Sequence, residues 1–116
     1  MKSLGSKGED LAVRFLKRKG YRIIERNYKT PIGEIDIIAQ DGGTLVFIEV
    51  KTRTSASFGY RFEAVDRKKR QKLKNLALLY LKKKAREVPV RFDVLSIFHT
   101  QETMNEIEHI MDAFEV

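Results

Sequence analysis

Between Lys7 and Lys19 the apolar residues Leu11, Ala12, Phe15 and Leu16 recur at helical spacing, and Gly20 follows in the position of a C-terminal cap. This predicts a first helix. The run Tyr21 to Tyr28, rich in aromatic and β-branched residues, predicts a strand that Pro31 and Gly33 close off. Beyond it Ile35, Ile37 and Ala39 alternate with Glu34, Asp36 and Ile38, and Thr44 to Arg53 alternates likewise. Asp41-Gly42-Gly43-Thr44 lies between these two runs, and its paired glycines suit a tight hairpin turn.

Arg53 to Tyr60 carries little periodicity and reads as a loop beside the end of the third strand. Leu73, Leu76, Ala77, Tyr80 and Leu81 then stripe a second helix from about Phe62 to Lys84, which must end before Pro89. Val90, Phe92 and Val94 open a fourth strand that stays apolar through Ile97 and Phe98, as a central strand would. Glu106 to Phe114 fits either a last strand or a short docking helix. The order α-β-β-β-α-β with a short terminal element, and no internal repeat, predicts an α/β fold: one domain, residues 1–116, with a mixed sheet flanked by helices.

The turn fixes a register. With Gly42 and Gly43 as the two central turn residues, Asp41 pairs with Thr44, Asp36 falls opposite Glu49, and Glu34 falls opposite Lys51. Glu49 and Lys51, two apart on one strand, share a face. Opposed side chains in a sheet have Cβ atoms roughly 4.5–5.5 Å apart, where like charges are destabilising. A cation should offset the carboxylates: Lys51 in part, and a hard divalent ion held by oxygen ligands more fully.

Composition narrows the ligand chemistry. The chain has no cysteine, which excludes disulfides, thiolate zinc sites and cysteine nucleophiles. Its 42% hydrophobic and 34% charged residues suit a globular domain, no apolar run is long enough to span a bilayer, and Met1 to Ser6 lacks the apolar core of a secretory signal. These features predict a cytoplasmic protein away from membranes. Lysine and arginine number 23 against 16 acids, a formal charge of +7, which favours a polyanionic partner. Arg67, Lys68, Lys69, Arg70, Lys72 and Lys74 are concentrated within eight residues of the second helix, a cluster that repels itself and gains from phosphate contacts.

Paired carboxylates with a lysine suit phosphodiester hydrolysis: Asp36 and Glu49 would hold Mg2+ or Mn2+, and Lys51 would orient water or stabilise charge on the phosphoryl oxygens. Glu9, beside the apolar stripe of the first helix, is a weaker candidate for an outer ligand. Asp36 followed after a hairpin by Glu49-Val50-Lys51, with Glu9 on a preceding helix, resembles the PD-(D/E)XK nuclease superfamily and especially the archaeal-type Holliday junction resolvases. Over nearly the whole chain Gly8-Glu9, Asn27, Gly33 to Asp36, Val46 to Lys51, Phe58-Gly59, Lys69 and Arg91-Phe92-Asp93 are similar to the YraN-like family of small bacterial proteins. The resemblance implies a restriction-endonuclease-like fold and an active-site set of Glu9, Asp36, Glu49 and Lys51, but does not carry over a substrate geometry. The leading expectation is a metal-dependent endonuclease acting on DNA, branched or junction DNA included; relatives that cut symmetric junctions usually pair as dimers, and the oligomeric state, a homodimer or not, stays open. The chain departs from the resolvases at Gly33-Glu34 and after Asp93.

Other polar residues have plainer readings beside the functional ones. Arg53 is placed equally to contact a phosphate or to pair with an acid. Glu34 reads as the partner of Lys51 in preference to a further ligand, and Asp93 as the partner of Arg91 or of a backbone group in preference to a metal ligand. His99 and His109 lack catalytic partners at diagnostic spacing and read as structural or exposed, and the aromatics of Phe58-Gly59-Tyr60 as packing more than base stacking. A non-catalytic nucleic-acid-binding module on the same fold is the alternative to a nuclease.

Overall fold

The computed structural model describes residues 4–54, 67–84, 87–99 and 105–114. Its elements run α1 (Leu4–Arg18), β1 (Arg22–Thr30), β2 (Gly33–Asp41), β3 (Thr44–Thr54), α2 (Arg67–Lys84), β4 (Val90–His99) and β5 (Asn105–Ile110). The expected order is observed. The terminal segment that the pattern left undecided is a strand. The expected beginning of the second helix before Arg67 and the Phe58-Gly59-Tyr60 segment lie outside the described residues.

The five strands form one sheet in the order β1-β2-β3-β4-β5, antiparallel throughout except for the parallel pair β3/β4. That parallel pair requires a crossover, which α2 supplies. β4 therefore lies inside the sheet, and Phe92 to Phe98 are buried without a break, as its apolar sequence demands.

Each face of the sheet carries one helix. Ala12, Val13 and Leu16 of α1 pack with Ile37, Ala39, Val46, Ile48, Leu95 and Ile97. Leu73, Leu76, Ala77 and Tyr80 of α2 pack with Ile35, Ile38, Leu45, Phe47, Phe92 and Val94 on the other side. An aromatic series crosses that second face: Tyr28 meets Tyr80, Tyr80 meets Phe47, Phe47 meets Phe92, and Phe92 stacks on Phe114, with ring centroids 5.2, 5.8, 5.7 and 4.8 Å apart. Among the described residues no helix is long and apolar enough to cross a membrane.

α1 stops where the sequence says it should. Gly20 has φ +92°, its N–H donates to the Lys17 carbonyl at 3.0 Å, and the Tyr21 N–H donates to the Leu16 carbonyl at 2.9 Å. These two bonds are those of a Schellman cap, and the left-handed residue is the glycine, which adopts it without a Cβ clash.

The hairpin keeps its register only part of the way. Asp41↔Thr44, Gln40↔Leu45, Ala39↔Val46, Ile38↔Phe47 and Ile37↔Ile48 pair as the two-residue turn requires, but the ladder does not continue to Asp36/Glu49 or Glu34/Lys51. The reason lies in β1 and β2 together. The pairs Arg26↔Ile37 and Tyr28↔Ile35 bracket Asn27 and Asp36, and Asn27 has φ +51°, a left-handed conformation in the middle of a strand. Residues two apart on a strand normally share a face. Here they do not: Arg26 bonds to Asp10 of α1 and Ile37 lies in the α1 cluster, whereas Tyr28 and Ile35 lie in the α2 cluster. The β1/β2 ribbon turns over at Asn27 and Asp36, so the simple alternation expected for Ile35, Ile37 and Ala39 fails at Ile35, and β2 parts from β3 there.

Candidate active site between the parted strands and α2

Where the ladder stops, side-chain chemistry replaces it. Asp36 Oδ2 accepts a hydrogen bond from the Val50 main-chain N–H at 2.9 Å. An unbroken ladder would have supplied a carbonyl to that N–H. Asp36 and the buried Glu49 then line one cavity of about 270 Å³ together with Glu34, Lys69, Lys72, Leu73 and Leu76.

Burial raises the Asp36 pKa first, and the Glu49 carboxylate adds to it; the Val50 N–H lowers it, Glu9 raises it, and Lys69 lowers it, leaving Asp36 at about 7. Half-charged near neutrality, Asp36 responds to any cation that enters. Glu9 acts on it from α1. One carboxylate oxygen of Glu9, Oε1, is buried and has no hydrogen-bond partner among the described residues. The helix can come this close to β3 because residue 8 is glycine: a Cβ there would overlap Thr52 Oγ1.

The cation at the carboxylates is Lys69 from α2, which forms an ion pair with Glu49. The sequence reading favoured Lys51 for this place. Lys51 lies two residues beyond Glu49 on β3, beside Ser96 of β4, and is partly exposed, but it forms no ion pair with a described residue and does not line the cavity. The expected Glu34–Lys51 pairing is also replaced: Glu34 stands opposite Lys29 of β1, because the strands have already separated at that level. Among the described residues no three of His, Asp and Glu stand together in a metal-ligating arrangement. The donor set is Asp36 and Glu49, with Glu9 within electrostatic reach.

The basic residues of α2 divide. Lys69 and Lys72 face the carboxylate cavity, Arg67, Arg70 and Lys74 line a different one, and Lys68 is exposed. Arg53 lies on β3 opposite Phe98, and its side chain lies outside the described residues.

Asp93 belongs to another polar group, on the α1 face. Its carboxylate accepts from Arg91 Nε at 2.9 Å, from His109 Nε2 at 2.7 Å and from the Asp112 main-chain N–H at 3.0 Å. Lys19 Nζ donates to His109 Nδ1 at 2.7 Å, which leaves the His109 proton on Nε2 facing Asp93. Arg91 also reaches Asp41 and the Tyr21 hydroxyl. The pairing of Asp93 with Arg91 and a backbone group follows the sequence reading. His109 is structural, one of the two readings its sequence allows; its partner Asp93 is not foreseen, since His109 sits on the undecided terminal segment and only the β4/β5 pairing brings the two together.

Residues 8–97 match the uncharacterised protein family UPF0102. A UPF0102 protein of Thermodesulfovibrio yellowstonii is 51% identical over 111 residues, covering 96% of this chain and 95% of the relative. UPF0102 proteins of Dictyoglomus thermophilum and Geobacter metallireducens are 46% and 50% identical, covering 97% and 99% of this chain and 98% and 94% of the relatives.

Proposed function

The chain belongs to the uncharacterised protein family UPF0102, and from its site we propose that it is a metal-dependent endonuclease hydrolysing phosphodiester bonds in DNA, branched or junction DNA of repair and recombination included. One observation carries this reading. Asp36, half-buried beside the buried Glu49, has its pKa raised to about 7 in a cavity walled by α2. Two acids held together at such a cost are a common sign of a functional site.

The residues fit a hard divalent cation. Asp36 and Glu49 offer carboxylate oxygens, and the unpartnered Glu9 Oε1 is a further oxygen with no other use among the described residues. These residues would hold Mg2+ or Mn2+, which when bound polarises a phosphoryl oxygen and acidifies water. The chain's own groups do the rest. The Val50 N–H fixes the Asp36 carboxylate, Lys69 balances Glu49, and Lys72 adds positive charge to the cavity lining. Lys51, on the Glu49 strand and without an ion pair among the described residues, remains available to a phosphate or an attacking water. A symmetric junction has two strands to cut, so the reading includes pairing of two copies, which light scattering with and without junction DNA would test.

The test is titration of magnesium or manganese into wild-type and Asp36→Ala protein by calorimetry, with cleavage of a labelled branched DNA scored alongside. Binding and cleavage by the wild type, both lost in the variant, support the nuclease. Branched, single-stranded and duplex DNA all left intact with metal present would remove it.

A second reading has its own support. Lys69 already neutralises Glu49, and the described residues hold no cluster of three ligands, as in a non-catalytic nucleic-acid-binding module. Salt-sensitive DNA binding that survives Asp36→Ala, without cleavage of any substrate, would favour it.

A further inference from the structure

Positions 67, 70, 71 and 74 are spaced i, i+3, i+4, i+7 and so form one stripe of α2. The buried stripe of that helix is Leu73, Leu76, Ala77 and Tyr80. Lys69 and Lys72 border it on one side, at the carboxylate cavity; Arg67, Arg70 and Lys74 border it on the other. This second flank has a cavity of its own, about 480 Å³, closed on its far side by Ala113 and Phe114.

That far wall is firmly held. The Ala113 N–H donates to the Phe92 carbonyl at 2.7 Å, the Asp112 N–H donates to Asp93, and the Phe114 ring stacks on Phe92. Among the described residues no acid lines the cavity. Arg67, Arg70 and Lys74 form no ion pair with a described residue, and Arg70 Nε is buried with no acceptor among them. Three cations around one cavity, one of them with a buried N–H unmet, call for an anion with several acceptor oxygens.

We propose that this cavity binds a backbone phosphate of a nucleic-acid strand that crosses α2, with its scissile phosphate at Asp36 and Glu49 on the opposite flank. The crossing rests on the nuclease reading; the phosphate site stands on the cavity alone. A helix with its side chains is about 10–12 Å across, and its buried stripe packs on the sheet, so a strand joining the two flanks has to pass round the outer face. A mononucleotide cannot do this. A strand of several nucleotides is the shortest that reaches both flanks.

The experiment measures binding of fluorescein-labelled oligothymidylates, two to twelve nucleotides long, by anisotropy in EDTA. The proteins are wild type, Arg70→Gln and Arg67→Gln/Lys74→Gln, with thermal melting as the folding control. For the wild type, affinity should rise steeply at the length, several nucleotides, at which one strand first spans both flanks. In Arg70→Gln it should fall about tenfold, and the log–log salt slope should lessen by about 0.7 for each phosphate that the variant no longer neutralises. The pair Arg67 and Lys74 is only partly buried or exposed, so that variant keeps the test decisive if Arg70→Gln fails to fold. Equal affinity of wild type and the double variant at every length would overturn the site. So would inorganic phosphate or thymidine monophosphate binding as tightly as a long strand, since the cavity would then take a free nucleotide. The nuclease reading fails separately: strand binding with the length step intact, but no cleavage with magnesium or manganese, keeps the phosphate site and removes the enzyme.

Discussion

The Asp36 carboxylate accepts the Val50 amide hydrogen at 2.9 Å and so takes the place of a main-chain carbonyl at the point where β2 leaves β3. The bond holds the acid in position without neutralising it. Burial and Glu49 still raise its pKa to about 7.

A pH dependence follows from this. An aspartate in the unfolded chain titrates near about 4, so between there and about 7 the folded protein holds a proton that the unfolded chain has lost. The stability this contributes is full below about pH 4 and is lost as pH rises through about 7. Asp36→Asn keeps an oxygen for the Val50 N–H and removes the charge. Metal-free Asp36→Asn should exceed the wild type in stability by about 1–3 kcal/mol at pH 8, the gap closing toward pH 4. Urea unfolding at both pH values measures it, and no gain at pH 8 would contradict the raised pKa.

Lys69 competes for Glu49 with any metal that enters. The lysine is about half exposed, at 48%, so Lys69→Gln should cost less than about 1 kcal/mol of stability. Removing it should tighten manganese binding and weaken DNA binding. Calorimetry and anisotropy on one preparation separate the two effects, and unchanged metal affinity would place Lys69 outside the site's charge balance.

The Asp93 carboxylate behaves oppositely. Burial alone would raise its pKa, but hydrogen bonds from His109, Arg91 and the Asp112 N–H outweigh burial and hold it below the ordinary range. The stability it contributes is present above about pH 4 and is lost as pH falls through its folded pKa. Asp93→Asn should lower stability by about 3 kcal/mol at pH 7, with the difference narrowing in acid. Unfolding curves at pH 7 and pH 3 decide this, and an equal difference at both would mean that packing, not charge, does the holding.

Gly8 allows α1 to approach β3. Alanine is the better helix former by about 1 kcal/mol, yet its Cβ would overlap Thr52 Oγ1. Gly8→Ala should therefore destabilise by about 1–3 kcal/mol, and adding Thr52→Ala should return part of it. Melting temperatures of the single and double variants test the coupling; a stabilising Gly8→Ala would show that the neighbouring threonine yields.

Much of this was legible in the residues. Gly42 and Gly43 fix a two-residue turn, and the turn alone brings Asp36 and Glu49 to one region. The failure past Ile37 has a local cause: Asn27, of a residue type depleted in strands and tolerant of left-handed backbone, was the one signal in the run, and its left-handed geometry turns the ribbon over. Register arithmetic assumes an unbroken ladder, so it also favoured Lys51, the nearest lysine along the strand, over Lys69, which arrives by packing of α2. His109 needed the β5 pairing before it could meet Asp93.

The irregularities of β1 have an effect outside the cavity. Among the described residues β1 is an outer strand of the sheet with no partner on its far side, and such an edge offers a row of main-chain donors and acceptors on which a second chain could extend the sheet. It is bulged between Ile23 and Glu25, rotated at Asn27, and carries Arg22, Arg26 and Lys29 exposed along its length. A flat incoming strand could stay in step with it for only two or three residues. The distortion that opens the carboxylate site thereby also guards this border of the sheet against runaway strand addition.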